Sequence, residues 1–232
     1  MTATKASLAS ASVGSSGFSY PSWRGGFYPA DSQPKEFLRF YAERLPTVEL
    51  NGTFHRLPAE EQFASWAAET PPGFVFAVKM TRRITYGNDL RFLSTFDERV
   101  RAMGDRLGPI LVRLPDTRPR DDGLLQLMLG SVDPDLRYAF DLRHESWHAP
   151  DVAETLAAAG AVRVNDLDAD ARFRYLRLRE PPYDDAALRR IAERIHAELA
   201  AGKPVFAYFK HEDEPTAPRY AARLLELLET QI

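Results

Sequence analysis

The chain contains no cysteine, which removes disulfide frameworks, thiolate nucleophiles and Cys-ligated metals or clusters. Histidine is scarce, with five in 232 residues and no HxH or HExxH spacing; the usual signature of a zinc centre is missing. No stretch approaches the roughly 20 apolar residues of a membrane span, so no membrane partner is expected. Residues 1–12 are rich in Ala, Ser and Thr and lack the apolar core of a signal peptide. They read as a disordered tail, and the whole chain as a cytoplasmic protein. No Gly-rich phosphate loop, kinase signature set or nucleophile elbow occurs. A net charge of −3 excludes gross polycation behaviour, so nucleic-acid binding would need a local basic patch.

What is present is an apolar fraction of 44% over 232 residues, enough for one large core. There is no internal repeat and no Pro/Gly/Ser linker, so residues 13–232 are expected to form one domain. Strands are predicted at 13–15, from Thr47 to a Gly-containing turn by Phe54, and at 74–79, 110–115, 138–143, 162–166, 173–179 and 205–210. The runs are mostly continuously apolar, as in strands covered on both faces. Helical spacing falls between them: 34–45, a helix after Pro58, 97–107, 124–129, 151–159, 184–199 and 218–228. Eight strands alternating with helices argue a parallel sheet and, at this count, a (β/α)₈ TIM barrel, with an open doubly wound sheet as the alternative. Between Asp166 and Phe173 there is no room for a crossover helix, so the helix between strands 6 and 7 is expected to be missing.

In such a barrel the functional face lies at the C-terminal strand ends. Those ends carry Ser15, Glu49, Asn51, Lys79, Arg113, Asp141, Arg143, Asp166, Arg177, Arg179 and Lys210. Six cations stand against three acids, inside a chain that is slightly acidic overall, and two of only five lysines end strands. A positive funnel of this kind suits a small anionic molecule or a nucleic-acid backbone; mutual ion pairing that merely closes the barrel end is the competing explanation. Glu49 beside Lys79 on the next strand offers an acid/base pair, a Schiff-base lysine or a buried ion pair. Catalytic candidates are therefore Glu49, Lys79, Asp141 and Asp166. Arg143 and Arg177 would clamp an anion, with Arg113, Arg179 and Lys210 beside them. The loop after the first strand adds Tyr20 and Trp23, which could stack on a ligand, whereas Phe18, Phe27 and Tyr28 plug the mouth. A metal set drawn from Glu49, Asp141, His144, Asp166 and His211 lacks supporting spacing, and no cofactor is implied. Oligomeric state is not encoded in any pattern found.

Several motifs recur in one order: residues 14–29, TVELNGTFHRLP (47–58), TPPGFVFAVKMTRRIT (70–85), 109–115, YAFDLRHESW (138–147), Asn165-Asp166, 175–178, and 208 onward. Together they resemble the YecE-like domain of unknown function 72 family. The resemblance implies a TIM barrel without an established reaction. Its recurrent polar positions match Trp23, Glu49, Asn51, Thr53, Lys79, Arg143, Trp147 and Asp166 here, and Asn51, Thr53 and Trp147 are accordingly expected among the substrate-binding residues. This chain departs from the family pattern at Gly52, His55, Tyr86, Arg113, Asp141 and Arg179, and Tyr86 and Arg179 both stand where the family commonly has histidine, which further lowers a metal reading. The expectation is an enzyme, hydrolase- or lyase-like, on a phosphorylated or other anionic substrate. The alternative is a non-catalytic nucleic-acid-binding protein that stacks bases on Tyr20 and Trp23.

Overall fold

The computed structural model describes residues 10–230. Its elements run β1 (Ala11–Ser16), α1 (Phe37–Ala42), β2 (Thr47–Leu50), α2 (Glu60–Ala68), β3 (Val75–Lys79), α3 (Arg82–Thr85), α4 (Leu93–Arg101) and β4 (Leu107–Arg113). They continue α5 (Asp122–Ser131), β5 (Tyr138–Asp141), α6 (Pro150–Ala158), β6 (Val162–Arg163), β7 (Arg174–Leu178), α7 (Asp185–Ala200), β8 (Val205–Phe209) and α8 (Thr216–Thr230). All strand pairs are parallel, in the order β6-β5-β4-β3-β2-β1-β8-β7. This is a TIM barrel that is nearly closed, with its seam between β6 and β7.

Strand parity sorts the side chains into two cores. Ala77, Leu111, Ala139, Val162, Tyr175, Phe206 and Tyr208 point inward and pack on one another. The other parity, including Val48, Val78, Val112 and Phe140, packs outward against the helices. Close approach inside the barrel explains a glycine: a Cβ on Gly14 would lie 2.0 Å from the Thr47 carbonyl oxygen. The inward Thr47 hydroxyl meets the Tyr208 hydroxyl at 2.9 Å, so side chains fill the barrel's lower layers.

β1 starts at Ala11, two residues earlier than the pattern predicted, because Ala11 and Ser12 pair with Val205 and Phe206 of β8. The predicted tail otherwise lies mostly outside the described residues. The helix expected at 97–107 instead begins at Leu93 and ends at Arg101. Leu93, Phe96 and Val100 form its buried stripe, and Gly104 takes a left-handed φ of 55° that turns the chain into β4.

No helix lies between β6 and β7. The link is instead a compact loop. The Asp166 carboxylate accepts hydrogen bonds from the backbone N–H groups of Asp168 and Ala169, both at 3.0 Å. Beneath it, the buried Arg174 guanidinium donates to the carbonyls of Ala169 and Leu167 at 2.8 and 3.1 Å. The seam itself is bridged at one residue, Asn165, whose backbone N–H donates to the Tyr175 carbonyl at 2.9 Å. Asn165 adopts a left-handed φ of 62°; its Oδ1 accepts from the Arg177 N–H at 2.7 Å and its Nδ2 donates to the Arg177 carbonyl at 3.2 Å. The carboxamide thus stands in for the backbone of a strand neighbour and fixes Arg177. Replacing Asn165 with alanine is expected to cost about 1–3 kcal/mol, because two backbone groups lose their partners. Urea unfolding measures the loss, and amide exchange at Arg177 should be the most accelerated in β7.

Candidate active site

Glu49 ends β2 on the inward face and is 0% exposed. Its Oε1 accepts from Ser16 Oγ (2.8 Å), Arg177 Nη2 (2.8 Å) and Asn51 Nδ2 (3.1 Å), and its Oε2 accepts from the Tyr175 hydroxyl (2.8 Å). Burial alone would raise this carboxyl. The Arg177 charge and the hydrogen bonds from Arg177, Ser16 and Tyr175 outweigh it and hold the group at about 2. A carboxylate so saturated is a fixed negative charge.

Arg177 is the hub. It is 3% exposed, and its other terminal nitrogen, Nη1, donates to Asp141 Oδ2 at 2.7 Å. Burial opposes its charge, but Glu49 and Asp141 more than compensate and raise its pKa above the ordinary value. Its Nε is buried without a hydrogen-bond partner. Asp141 in turn accepts from Arg143 Nε at 3.0 Å. Arg113 donates to Asp116 at 2.9 Å. The barrel end is therefore a chain of charges, Glu49–Arg177–Asp141–Arg143, with the Ser16 hydroxyl bonded to its first member.

Lys79 stands apart from that chain. The register pairs Glu49 with Ala77, which puts Lys79 one inward position higher. Among the described residues it forms no ion pair, and the expected Glu49–Lys79 pair does not form. Its ammonium sits 4.1 Å from the centroid of the Phe54 ring. Its backbone is tethered by the Thr53 hydroxyl, 2.7 Å from the Lys79 carbonyl. Burial and then the Arg177 charge lower the lysine, Glu49 opposes, and Arg113 and Arg179 lower it further, to about 8. Arg179, half-buried, is lowered by burial and by Arg177, with Arg143 and Arg113 also contributing. Neither Arg179 nor Lys210 has an ion-pair partner among the described residues. A cavity of about 840 Å³ opens beside them, its charged lining made of Asp141, Arg143, Arg177, Arg179, Glu180, Arg194 and Lys210.

The structure thus gathers Glu49, Asn51, Lys79, Arg113, Asp141, Arg143, Arg177, Arg179 and Lys210 at one end of the barrel. Other expected residues serve elsewhere. Trp23 is 0% exposed and its indole N–H donates to the Glu212 carbonyl at 3.0 Å. Trp147 is equally buried and donates to the Arg118 carbonyl at 3.0 Å. Both rings are enclosed by the protein itself, which runs against the stacking expectation for Trp23 and the binding expectation for Trp147. Tyr20 lies flat on His211, with ring centroids 4.6 Å apart, and leans against Trp23 at 4.7 Å. Its hydroxyl donates to the Ser16 carbonyl, so it braces the mouth. Thr53 is buried and bonded to backbone. Asp166 turns its own loop and pairs with Arg163 at 2.6 Å, away from the charge chain. The metal set drawn from the sequence does not assemble: among the described residues no three His, Asp or Glu side chains converge.

Pattern reading missed Ser16, Tyr175 and Asn165. Tyr175 was legible in principle, since it lies two residues before Arg177 on the same strand and shares its face. Asn165 was not, because nothing local reports a left-handed residue that bridges a barrel seam.

A family model described as "Protein of unknown function DUF72" matches residues 12–232. No curated protein matches the chain. Among solved structures, a DUF72 family protein from Thermotoga maritima is 21% identical with a TM-score of 0.81, covering 95% of this chain and 99% of its own. A DUF72 family protein from Enterococcus faecalis is 18% identical with a TM-score of 0.75, over 84% of this chain and 94% of that one. D-psicose 3-epimerase from Clostridium cellulolyticum, determined with D-tagatose, superposes at a TM-score of 0.55 and 10% identity, covering 90% and 94% of the two chains. At these identities the likeness extends to the fold. Among the described residues, no helix is long and apolar enough to cross a membrane.

Proposed function

We propose, for a chain that belongs to the DUF72 family of proteins of unknown function, that the barrel mouth binds a small anionic substrate and acts on it as a hydrolase- or lyase-type enzyme. One observation carries this reading. Arg179 and Lys210 line the cavity at the barrel mouth, Lys79 lies close enough to feel the Arg177 and Arg179 charges, and the two acids of the barrel floor, Glu49 and Asp141, are already engaged with Arg177. Among the described residues no carboxylate pairs with these three cations. Clustered, partly buried like charges repel, and an anionic ligand relieves that repulsion with charge-assisted hydrogen bonds.

Roles follow from the geometry. Glu49, Arg177 and Asp141 form a rigid charged floor, which revises the acid/base role expected for Glu49. Arg179 and Lys210 hold the anion, with Arg143 and Arg113 at its edge. Lys79 is the reactive group. With a pKa near 8, an appreciable fraction of its amine is neutral close to pH 7. It can therefore take a proton from substrate or add to a carbonyl carbon. The position of the cluster at the strand C-termini is where barrel enzymes keep their chemistry.

Isothermal titration at low ionic strength with sulfate, phosphate and simple phosphate monoesters tests the reading. Wild type should bind at least one, and Arg179→Gln should weaken that binding by roughly tenfold or more, the loss of one charged hydrogen-bonding partner. Absence of binding by every anion, or affinity untouched in the variant, would remove the anion site. Parallel titration with single-stranded DNA addresses a nucleic-acid backbone as the anion; there the affinity should fall steeply with salt.

A further inference from the structure

The missing crossover helix leaves a consequence on the outside of the barrel. In a (β/α)₈ barrel the outward parity of each strand is covered by a following helix, but the chain passes from β6 to β7 through a loop. The outward residues Leu176 and Leu178 therefore face the cavity described above, together with Leu167 from the loop and Ala187 and Ile191 from α7. The same cavity is lined by the inward residues Arg177 and Arg179. Successive strand residues point to opposite faces, so a continuous wall would separate these two sets. Both reach one space because it opens at the seam, where Asn165 replaces a paired strand. Leu167, Leu178 and Ile191 remain partly exposed, an apolar surface contiguous with the cationic mouth.

We propose that this slot receives the apolar chain of an amphipathic anion, an alkyl or acyl phosphate, whose charged head sits on Arg179, Lys210 and Arg143. The inference rests on the anion reading and narrows it to a substrate class. Two features argue for a single ligand that spans both regions. The charged and apolar linings belong to one cavity, and its volume of about 840 Å³ falls within the range of about 300–1,000 Å³ usual for small-molecule sites. The polarity also changes along the cavity: Arg179 and Lys210, without ion-pair partners among the described residues, lie at the mouth with Glu180 near them, and Leu167, Leu176, Leu178 and Ile191 line the slot, whose α7 wall also carries Arg194.

The test uses the full chain and monomeric ethyl, butyl and octyl phosphate below their micelle concentrations. Affinity should rise from ethyl to octyl by roughly thirtyfold or more, since each buried methylene contributes favourably. Ile191→Asn, which adds no charge beside the anion, should remove most of the gain by weakening octyl phosphate far more than ethyl phosphate, and Leu167→Gln should reduce it should the first variant fold poorly. Ethyl phosphate binding with no dependence on chain length would overturn the slot and leave the anion site standing. Failure of all three ligands would overturn both. Binding to phosphatidic-acid vesicles without binding of monomeric octyl phosphate would overturn the proposal in favour of a lipid surface. A dimer seen by sedimentation that octyl phosphate does not dissociate would overturn it in favour of a second copy of the chain.

Discussion

Replacing Arg177 with methionine is expected to destabilise the protein by about 3–5 kcal/mol, the cost of removing one partner from a buried charge pair. For a chain of this size that lowers Tm by about 6–20 °C. The effect is large because one guanidinium serves two buried acids, Glu49 at 2.8 Å and Asp141 at 2.7 Å. Methionine keeps the aliphatic stem and removes only the charge and its donors, so the loss reports the pairing. The response to pH should change sign. In the wild type Glu49 has a folded pKa of about 2, below its ordinary 4.5. Its stabilisation is therefore complete above pH 4.5 and is lost as the pH falls through 2. In Arg177→Met the carboxyl stays buried without its cation, which raises its folded pKa above the unfolded value. That variant should gain stability as the pH falls from 7 to 5. The double variant Glu49→Gln/Arg177→Met should recover part of the loss. Urea unfolding across pH measures all three. A variant as stable as the wild type at pH 7 would show that the floor is not desolvated as described.

The second large effect belongs to Lys79. Sulfate binding by the wild type should weaken as the pH rises through about 8, where the ammonium loses its proton, because a bound anion favours the charged form. Sulfate keeps its charge across this window, so the titration reports the protein. Lys79→Arg should bind sulfate with an affinity flat from pH 7 to 9, since a guanidinium does not titrate there. Lys79→Met should lose roughly tenfold or more at pH 7 and keep or slightly raise Tm. The sign follows from linkage: a lysine whose folded pKa lies below its unfolded value opposes folding while protonated, and this penalty fades as the pH rises past 8. Calorimetric titration and thermal melts of the same samples separate binding from stability. Equal sulfate affinity for wild type and Lys79→Met would remove the lysine from the site.

Much of this architecture is legible in the residues. Continuous apolar runs such as 74–79 and 205–210 are strands covered on both faces, and the regular alternation with helical spacing closes them into a ring. The short interval between Asp166 and Phe173 correctly excludes a crossover helix. Parity also places charges: Ala77 below Lys79 and Ala139 below Asp141 share the inward face, as the register confirms. What local pattern could not supply is which charge meets which. Glu49 and Lys79 lie on adjacent strands, yet the partner of Glu49 is Arg177, 128 residues away, because the ring brings β7 across the interior. Trp23 and Trp147 sit in polar loops that look ligand-facing, but burial of a large ring with its N–H on a backbone carbonyl stabilises the loop itself. Reading only strand ends also hid Tyr175, one tier below the charges and essential to the saturation of Glu49.

The account turns on an ammonium held among cations without a paired carboxylate. Selective labelling of the five lysines and an NMR titration of the Lys79 ε-resonances, in the absence and presence of saturating sulfate, measures that directly. The account predicts titration near pH 8 in the free protein and a clear upward displacement when sulfate is bound. Titration near the ordinary lysine value of 10.5, unmoved by sulfate, would contradict it.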